Sequence, residues 1–256
     1  MSSALHVLAF DSSTEWLSVA LQLDDGAILA DSEPGGARAS QRLLPLVQEL
    51  LAEAGLRLGE IGLIGFGAGP GAFTGLRAAC AAAQGLAFGL DIPVVPVHTL
   101  LAVAASAEHA AMPASTLLVA NDARMGELYW ALAQQGADGN LRLRAPAQVA
   151  PPQAAAMAWV QALGEVPPED VQLLGHAWAE HRAALTAALP VAWRKPLDEA
   201  LTVTPKAAAI ARLARAAHAR GESVAAAQAL PIYVRDKVAL TTEERERARH
   251  VEVVHP

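Results

Sequence analysis

The stretch Gly65-Phe-Gly-Ala-Gly-Pro-Gly-Ala-Phe-Thr-Gly-Leu-Arg77 constrains the fold of this 256-residue chain more than any other. An apolar run, Ile61 to Phe66, reads as a strand leading into it, and the Ala-rich run from Thr74 to Gly89 reads as a helix leading out. Gly69-Pro70-Gly71 demands a tight turn with positive φ, and Thr74 is placed to cap the helix that follows. The positive N-terminus of that helix then faces the loop, an arrangement that can cradle a phosphate. The loop lacks the Gly-Lys-Ser/Thr of a Walker loop and the spacing of a dinucleotide fingerprint, so a purely structural strand-to-helix elbow is an equal reading.

Around this elbow the pattern is that of an α/β protein. Leu5 to Phe10 and Leu17 to Leu23 alternate as strands, joined by the turn Asp11-Ser-Ser-Thr14, and Asp24-Asp25-Gly26 turns into Ala27 to Ala30. The first thirty or so residues therefore predict a three-stranded antiparallel meander. A helix over 40–54, the strand and helix of the elbow, a short strand at Val94 to Val97 and a helix over 99–110 complete the order β-β-β-α-β-α-β. Thr116 to Asp122 and Glu127 to Leu132 then form a strand and hairpin, so the second half begins as the first does. Beyond Gly136 the sequence is Pro- and Ala-rich, with helices predicted over 152–163, 177–189 and 204–220, and the charged run Thr241 to Arg249 reads as a solvated helix or a disordered end. The domain reading is a first lobe over 1–108, a second, degenerate lobe over 109–230 and an extension over 231–256.

Two helices carry more apolar surface than one sheet face requires. Between Gly75 and Gly89 only Arg77 and Gln84 are polar; they lie seven residues apart and nearly superimpose on the helical wheel. In helix 40–54, Leu43, Leu44, Leu46, Val47, Leu50, Leu51 and Ala54 spread over roughly 160°, against the ~100° stripe of a helix with one covered face. Either the helices cover one another within a small core, or a partner chain does. Pro45 kinks the first turn or marks a late start.

Other motifs leave their chemistry open. Asp11 followed by Ser12, Ser13 and Thr14 at a strand end is either an Asx or Ser/Thr turn closing the hairpin or a phosphate loop with a metal-orienting carboxylate. Asn121-Asp122-Ala-Arg124-Met-Gly-Glu127 fits a buried Asp–Arg pair bracing a hairpin better than a catalytic Asp. His176 and His181, five apart on a predicted helix, point in different directions, so no metal site is expected. A single cysteine, Cys80, forms no bridge and suits a reducing cytoplasm, and the N-terminus lacks the pattern of a secretion signal. No apolar run is long enough to span a bilayer. A net charge of −7 argues against a primary role in gripping nucleic acid.

Taken in order, Leu8-Ala-Phe-Asp-Ser-Ser-Thr14, Leu43-Leu-Pro-Leu46, the Gly67-to-Arg77 loop, Val119-Ala-Asn-Asp-Ala-Arg-Met-Gly-Glu-Leu-Tyr-Trp130 and Pro231-Ile-Tyr-Val-Arg-Asp-Lys-Val238 resemble the TsaB (YeaZ) family of tRNA threonylcarbamoyladenosine biosynthesis proteins over residues 5 to 238. The resemblance implies a two-lobed actin-like ATPase (ASKHA, ribonuclease H-like) fold, with mixed sheets flanked by helices. It implies a cytoplasmic, non-catalytic dimerisation subunit of the machinery that modifies the adenosine next to the anticodon. The partners it implies are TsaD, which carries the metal, nucleotide and transfer chemistry, the small ATPase TsaE, and TsaC or its relative Sua5, which makes the threonylcarbamoyl-adenylate. A homodimer is expected when the chain is alone, with tRNA bound mainly through the complex.

On this reading the partner interface lies on Leu44, Val47, Gln48, Leu51, Arg77, Ala78, Ala82 and Gln84. Asp11, Ser12, Ser13, Thr14, Gly69 and Gly71 are degenerate phosphate-loop positions, with no cofactor held by this chain alone and ATP or ADP at the TsaB–TsaD–TsaE junction. The His-x-x-x-His metal motif of TsaD-like proteins falls here on Thr99 and Val103, and a one-residue shift gives only His98 with Ala102. Ala39-Ser40 departs from the His-Ser or His-Thr common in the family. Two rival readings stand beside this one: an active actin-like ATPase or sugar-kinase-like enzyme using Asp11 and the glycine loop, and a glycoprotease-like peptidase, which lacks a credible Ser-His-Asp or Cys-His set.

Overall fold

The computed structural model describes residues 5–107, 116–136 and 138–235. Its first sheet contains β1 (His6–Asp11), β2 (Trp16–Gln22), β3 (Ile28–Pro34), β4 (Ile61–Gly69) and β5 (Val94–His98), in spatial order β3-β2-β1-β4-β5. β1 to β3 form the expected antiparallel meander, and β4 and β5 add in parallel beside β1. Val7, Leu8, Ala9 and Phe10 are all fully buried, because β1 is a central strand with helices over both faces, Leu8 and Phe10 meeting α1 and α2 and Val7 and Ala9 meeting the helix over 207–219.

One face is covered by α1 (Ala39–Ala54) and α2 (Phe73–Leu90), packed side by side over Leu8, Phe10, Leu17 and Val19. α1 runs through Pro45 and ends at Gly55, whose left-handed φ of 66° lets Leu56 N–H reach the Leu51 carbonyl at 2.9 Å. The expected cap of α2 is corrected: the N-cap is Ala72 rather than Thr74, and no side chain caps it. β4 likewise extends through the glycine run to Gly69 instead of stopping at Phe66, and β3 runs on to Pro34.

The second lobe repeats the first. After α3 (Thr99–Ser106) come β6 (Thr116–Arg124), β7 (Glu127–Gln135), β8 (Leu141–Leu143), β9 (Gln148–Ala150), α4 (Pro152–Leu163) and β10 (Val171–Leu174). The short helices α5 (Ala177–Glu180), α6 (Arg182–Ala188) and α7 (Arg194–Asp198) follow, then α8 (Ala207–Ala219). The sheet order β8-β7-β6-β10, with β10 parallel to β6, matches β3-β2-β1-β4 strand for strand, and β9 adds to β7. Trp130, Trp159 and Trp178 stack edge to face at its core, with centroids 6.2 and 5.8 Å apart. Two such lobes make the actin-like fold.

α8 belongs with the first lobe, which moves the boundary read from sequence at 230. Its Ile210, Ala211 and Ala214 pack on Val7, Ala9 and Leu63, the far face of the first sheet, so the second lobe closes near Leu201. α3 packs on both α8 and the second sheet, so the two helices form the layer that joins the lobes. The helix read over 177–189 is broken at His181 into α5 and α6. The end of helix 99–110, the boundary at 108 and the tail from 236 lie outside the described residues. No helix among those described is long and apolar enough to cross a membrane.

Candidate functional site: the interlobe cleft and the helix pair beside it

Residues of both lobes enclose a cleft of about 550 Å³. The first lobe lines it with the β1–β2 turn, Ser13 to Trp16, and the glycine loop, Pro70 to Phe73; the second contributes the end of β6, Asn121 to Met125, with Tyr129 and His176. Of the six predicted phosphate-loop positions, only Ser13, Thr14 and Gly71 face this space.

The glycines of the loop serve the protein's own backbone. A Cβ on Gly75 would lie 1.7 Å from the Ser12 carbonyl oxygen, and one on Gly71 would lie 2.5 Å from that of Ser13. The Ser13 carbonyl accepts the Ala72 N–H at 2.7 Å, at the start of α2, and the Ser12 hydroxyl donates to the Gly75 carbonyl at 2.9 Å. The N-terminus of α2, where a phosphate could sit, is therefore in contact with the β1–β2 turn. Gly69 has the expected positive φ, 124°, and is also filled: a Cβ there would lie 2.4 Å from the Ile232 carbonyl oxygen.

Asp11 is sealed behind this contact. It is 1% exposed, and its Oδ1 accepts both the N–H and the hydroxyl of Ser13, at 3.0 and 2.8 Å. Its Oδ2 has no hydrogen-bond partner and lies 1.8 Å from where a Gly67 Cβ would be. Burial pushes the Asp11 carboxyl up to about 6 against the opposing pull of the Ser13 hydrogen bonds. The turn is thus the Asx-type closure of the hairpin, and the carboxylate does not reach the cleft.

The second-lobe wall is polar, and the sequence reading of it needs correction. Arg124 is 73% exposed and bonds Glu15 across the cleft at 2.6 Å, with Asp122 a further 3.6 Å contact, so no buried Asp–Arg pair forms. The buried partner of Asp122 is His181, whose Nε2 lies 3.1 Å from Oδ1. His181, where α5 gives way to α6, is the histidine that reaches Asp122, whereas the His176 N–H donates to Asn121 Oδ1 at 3.4 Å; burial holds the His176 imidazole below its ordinary range, opposed by the nearby Asp122 charge. No group of three or more His, Cys, Asp or Glu able to hold a metal occurs among the described residues. At the predicted metal-motif positions Thr99 and Val103 are fully buried, with the Thr99 hydroxyl accepting the Gly69 N–H at 3.1 Å. His98 instead caps α3 through Nδ1, and burial lowers its imidazole to about 4.

The interface positions divide into three groups. Val47 and Leu51 are 2% and 6% exposed and lie in the first-lobe core, facing the sheet, so they are not available to a partner. Arg77 and Gln84 are engaged by the chain's own C-terminal segment: Arg77 Nε donates to the Tyr233 hydroxyl at 3.3 Å, and Gln84 Nε2 to the Ala229 carbonyl at 2.8 Å. Leu44 and Gln48 are exposed on α1, and Ala78 and Ala82 are half-buried on α2. Exposed Ala81 and Phe88, the latter 81% exposed, belong to the same α2 surface; the sequence reading did not single them out, although the apolar residues all round that helix pointed to it.

Comparison with known proteins agrees with this architecture. Residues 35–242 match the family model described as TsaD: tRNA N6-adenosine threonylcarbamoyltransferase. The chain is 33% identical to the tRNA threonylcarbamoyladenosine biosynthesis protein TsaB of Escherichia coli K12 over 92% of this chain and 96% of that protein. It is 32% identical to the TsaB protein of Haemophilus influenzae over 91% and 95%, respectively. The solved structure of YeaZ from Pseudomonas aeruginosa superposes with a TM-score of 0.73 at 38% identity, covering 90% of this chain and 99% of that one.

Proposed function

We propose a scaffolding role on one premise: the chain belongs to the TsaB (YeaZ) family of tRNA threonylcarbamoyladenosine biosynthesis proteins. Its place is in that modification pathway, and within it we assign the chain as a non-catalytic subunit that pairs with TsaD and TsaE. The observation that carries the assignment is the contact of the glycine loop with the β1–β2 turn. In an actin-like ATPase the corresponding loops grip phosphate; here Ser12 and Ser13 carbonyls meet Gly75 and Ala72 directly, and Asp11 is buried behind them. Polar groups that are already paired with one another, with no space between them, are poorly placed to coordinate a nucleotide or a metal. At the metal-motif positions Val103 has no donor atom and the Thr99 hydroxyl is buried and already accepts the Gly69 N–H, which supports the same reading.

The family model bears the transferase's name, whereas the relatives similar along most of the chain are TsaB proteins, which fits descent from a common ancestor with the chemistry retained in TsaD. TsaD would dock on the α1–α2 face, where Leu44, Ala78, Ala81 and Phe88 are accessible. Reconstitution tests the reading. With TsaC, TsaD and TsaE present, omission of this chain should abolish threonylcarbamoyl transfer to tRNA, and the chain alone should show neither transfer nor appreciable ATP hydrolysis. Transfer or ATP turnover by the isolated chain would overturn the assignment.

A further inference from the structure

Residues Ala229 to Arg235 join the two lobes across the cleft side. Ala229 is fully buried against α2, where its carbonyl accepts from Gln84 Nε2 and Cys80 Sγ. Ile232 N–H donates to the Ala68 carbonyl at 2.7 Å, and the Ile232 carbonyl lies where only a glycine at 69 leaves room. Tyr233 stacks at 5.5 Å on Phe73, whose other contact is the Arg77 guanidinium 3.8 Å from the ring centroid. All of these anchors are in the first lobe. Three residues beyond Ile232, the Arg235 guanidinium donates to the Glu127 carboxylate and, at 3.2 Å, to the Ala123 carbonyl, both on the β6–β7 hairpin of the second lobe.

We propose that Ala229–Arg235 is a latch that holds the lobes closed about the α3–α8 layer and ties the cleft to the surface of α2. Among the described residues a second tie on the cleft side is the Glu15–Arg124 pair, with both side chains more than 70% exposed, and water and salt compete well for such a pair. Arg235 is only 16% exposed and donates to a carboxylate and a backbone carbonyl together, so its pair is less screened by water and salt and holds a more defined geometry. Because the latch rests along α2 through Ala229 and Tyr233, a molecule that shifts Tyr233 or Arg77 pulls on the same segment that holds the hairpin. Lobe separation and the state of the α2 surface thus become two ends of one equilibrium. The inference concerns contacts within the chain and stands whether or not TsaD is the molecule that docks on α2.

The test is a pulsed electron-resonance distance measurement on the full chain, with spin labels at Glu53→Cys on α1 and Glu169→Cys in the second lobe, both exposed positions. Cys80→Ser, which keeps a donor for the Ala229 carbonyl, removes the native thiol. Wild type should give one narrow distance. Arg235→Ala should add a displaced population, raising the open fraction about tenfold or more, and should remove the hydrogen-exchange protection of the Ile232 amide. Gly69→Ala should give the same displaced population from the first-lobe end, because its Cβ would push on the Ile232 carbonyl. Arg124→Ala should leave the distribution narrow. If Arg235→Ala unfolds the chain, Glu127→Gln carries the comparison with a smaller shift in the same direction. Distributions for Arg235→Ala (or Glu127→Gln) and Gly69→Ala that superimpose on wild type would overturn the latch, as would an equal response to Arg124→Ala.

Discussion

Replacing Gly75 with alanine tests whether the glycine loop exists to let two backbones touch. The added Cβ would lie 1.7 Å from the Ser12 carbonyl oxygen and 2.8 Å from its carbon, so neither a rotamer change nor a flexible side chain can relieve the clash. Forcing the segments apart breaks the Ser12 hydroxyl bond to Gly75 at 2.9 Å and lengthens the 2.7 Å bond from Ala72 N–H to Ser13. Each buried bond contributes about 1 kcal/mol net, and overpacking costs typically 1–3 kcal/mol, so the loss should be roughly 3–5 kcal/mol. At this size that corresponds to roughly 6–20 °C in Tm. Gly85 is the control on the same helix: a Cβ there meets nothing within 4 Å and its φ is ordinary, so Gly85→Ala should gain about 0.5–1 kcal/mol from helix propensity. Urea unfolding of both variants followed by circular dichroism gives the comparison. A Gly75→Ala variant within about 1 kcal/mol of wild type would mean that the turn and the loop separate at little cost, and the case against a phosphate site there would fail.

The carboxyl of Asp11, raised from 3.8 to about 6, binds a proton more tightly folded than unfolded, so its contribution to stability is complete below about pH 4 and is lost as pH rises through 6. Asp11→Asn should flatten that fall, worth up to about 3 kcal/mol for a shift of this size, in unfolding curves taken from pH 4 to 8. His98, lowered from 6.5 to about 4, acts with the opposite sign, its contribution being present above 6.5 and lost as pH falls through 4; His98→Asn keeps a capping group and should remove that dependence. Leu44→Glu, at a position 47% exposed, should change stability by less than about 0.5 kcal/mol while abolishing self-association in sedimentation, whereas Val47→Glu, at 2% exposed, should unfold the first lobe. Binding of tRNA by the isolated chain, with its net charge of −7, should be weak and fall steeply with salt in a filter-binding titration; tight binding at physiological salt would count against the acidic-scaffold reading.

What the sequence made legible was local. Alternation placed β1 and β2, the Gly69 turn marked the elbow, and the repeat of strand and hairpin at Thr116 announced the second lobe, because each rests on a side-chain period or on a backbone conformation that few residues adopt. Two kinds of feature were not legible. Short edge elements such as β8 and β9 span three residues each, too few for a period to show. Contacts distant in sequence were hidden as well: α8 reads as a helix of its own neighbourhood but packs on β1 and β4, and His181, at the junction of α5 and α6, pairs with Asp122 fifty-nine residues earlier. The candidate site suffered for the same reason. Asp11 and Ser12 have the residue types of a phosphate loop, and only the approach of a helix sixty residues later decides that their polar groups are spent within the protein.

The unusual composition of α2 follows from the number of surfaces it must meet. Gly75, Leu76, Ala79, Cys80, Ala83 and Ala87 face the core, and small residues among them let the helix settle close to β4 and α1. Arg77 and Gln84, the narrow polar line, turn toward the C-terminal segment and satisfy its Tyr233 hydroxyl and Ala229 carbonyl. A helix with only these two obligations would carry charged or strongly polar residues on its remaining side. Instead that side presents Ala78, Ala81, Ala82, Gly85 and Phe88, with Phe88 81% exposed, and the neighbouring α1 exposes Leu44. Small residues flanking a projecting aromatic form a surface on which another helix can lie closely, and apolar surface of that kind is seldom left in water when a partner is at hand. Two sides of α2 are accounted for within the chain, and its third is the side from which a second subunit would be read.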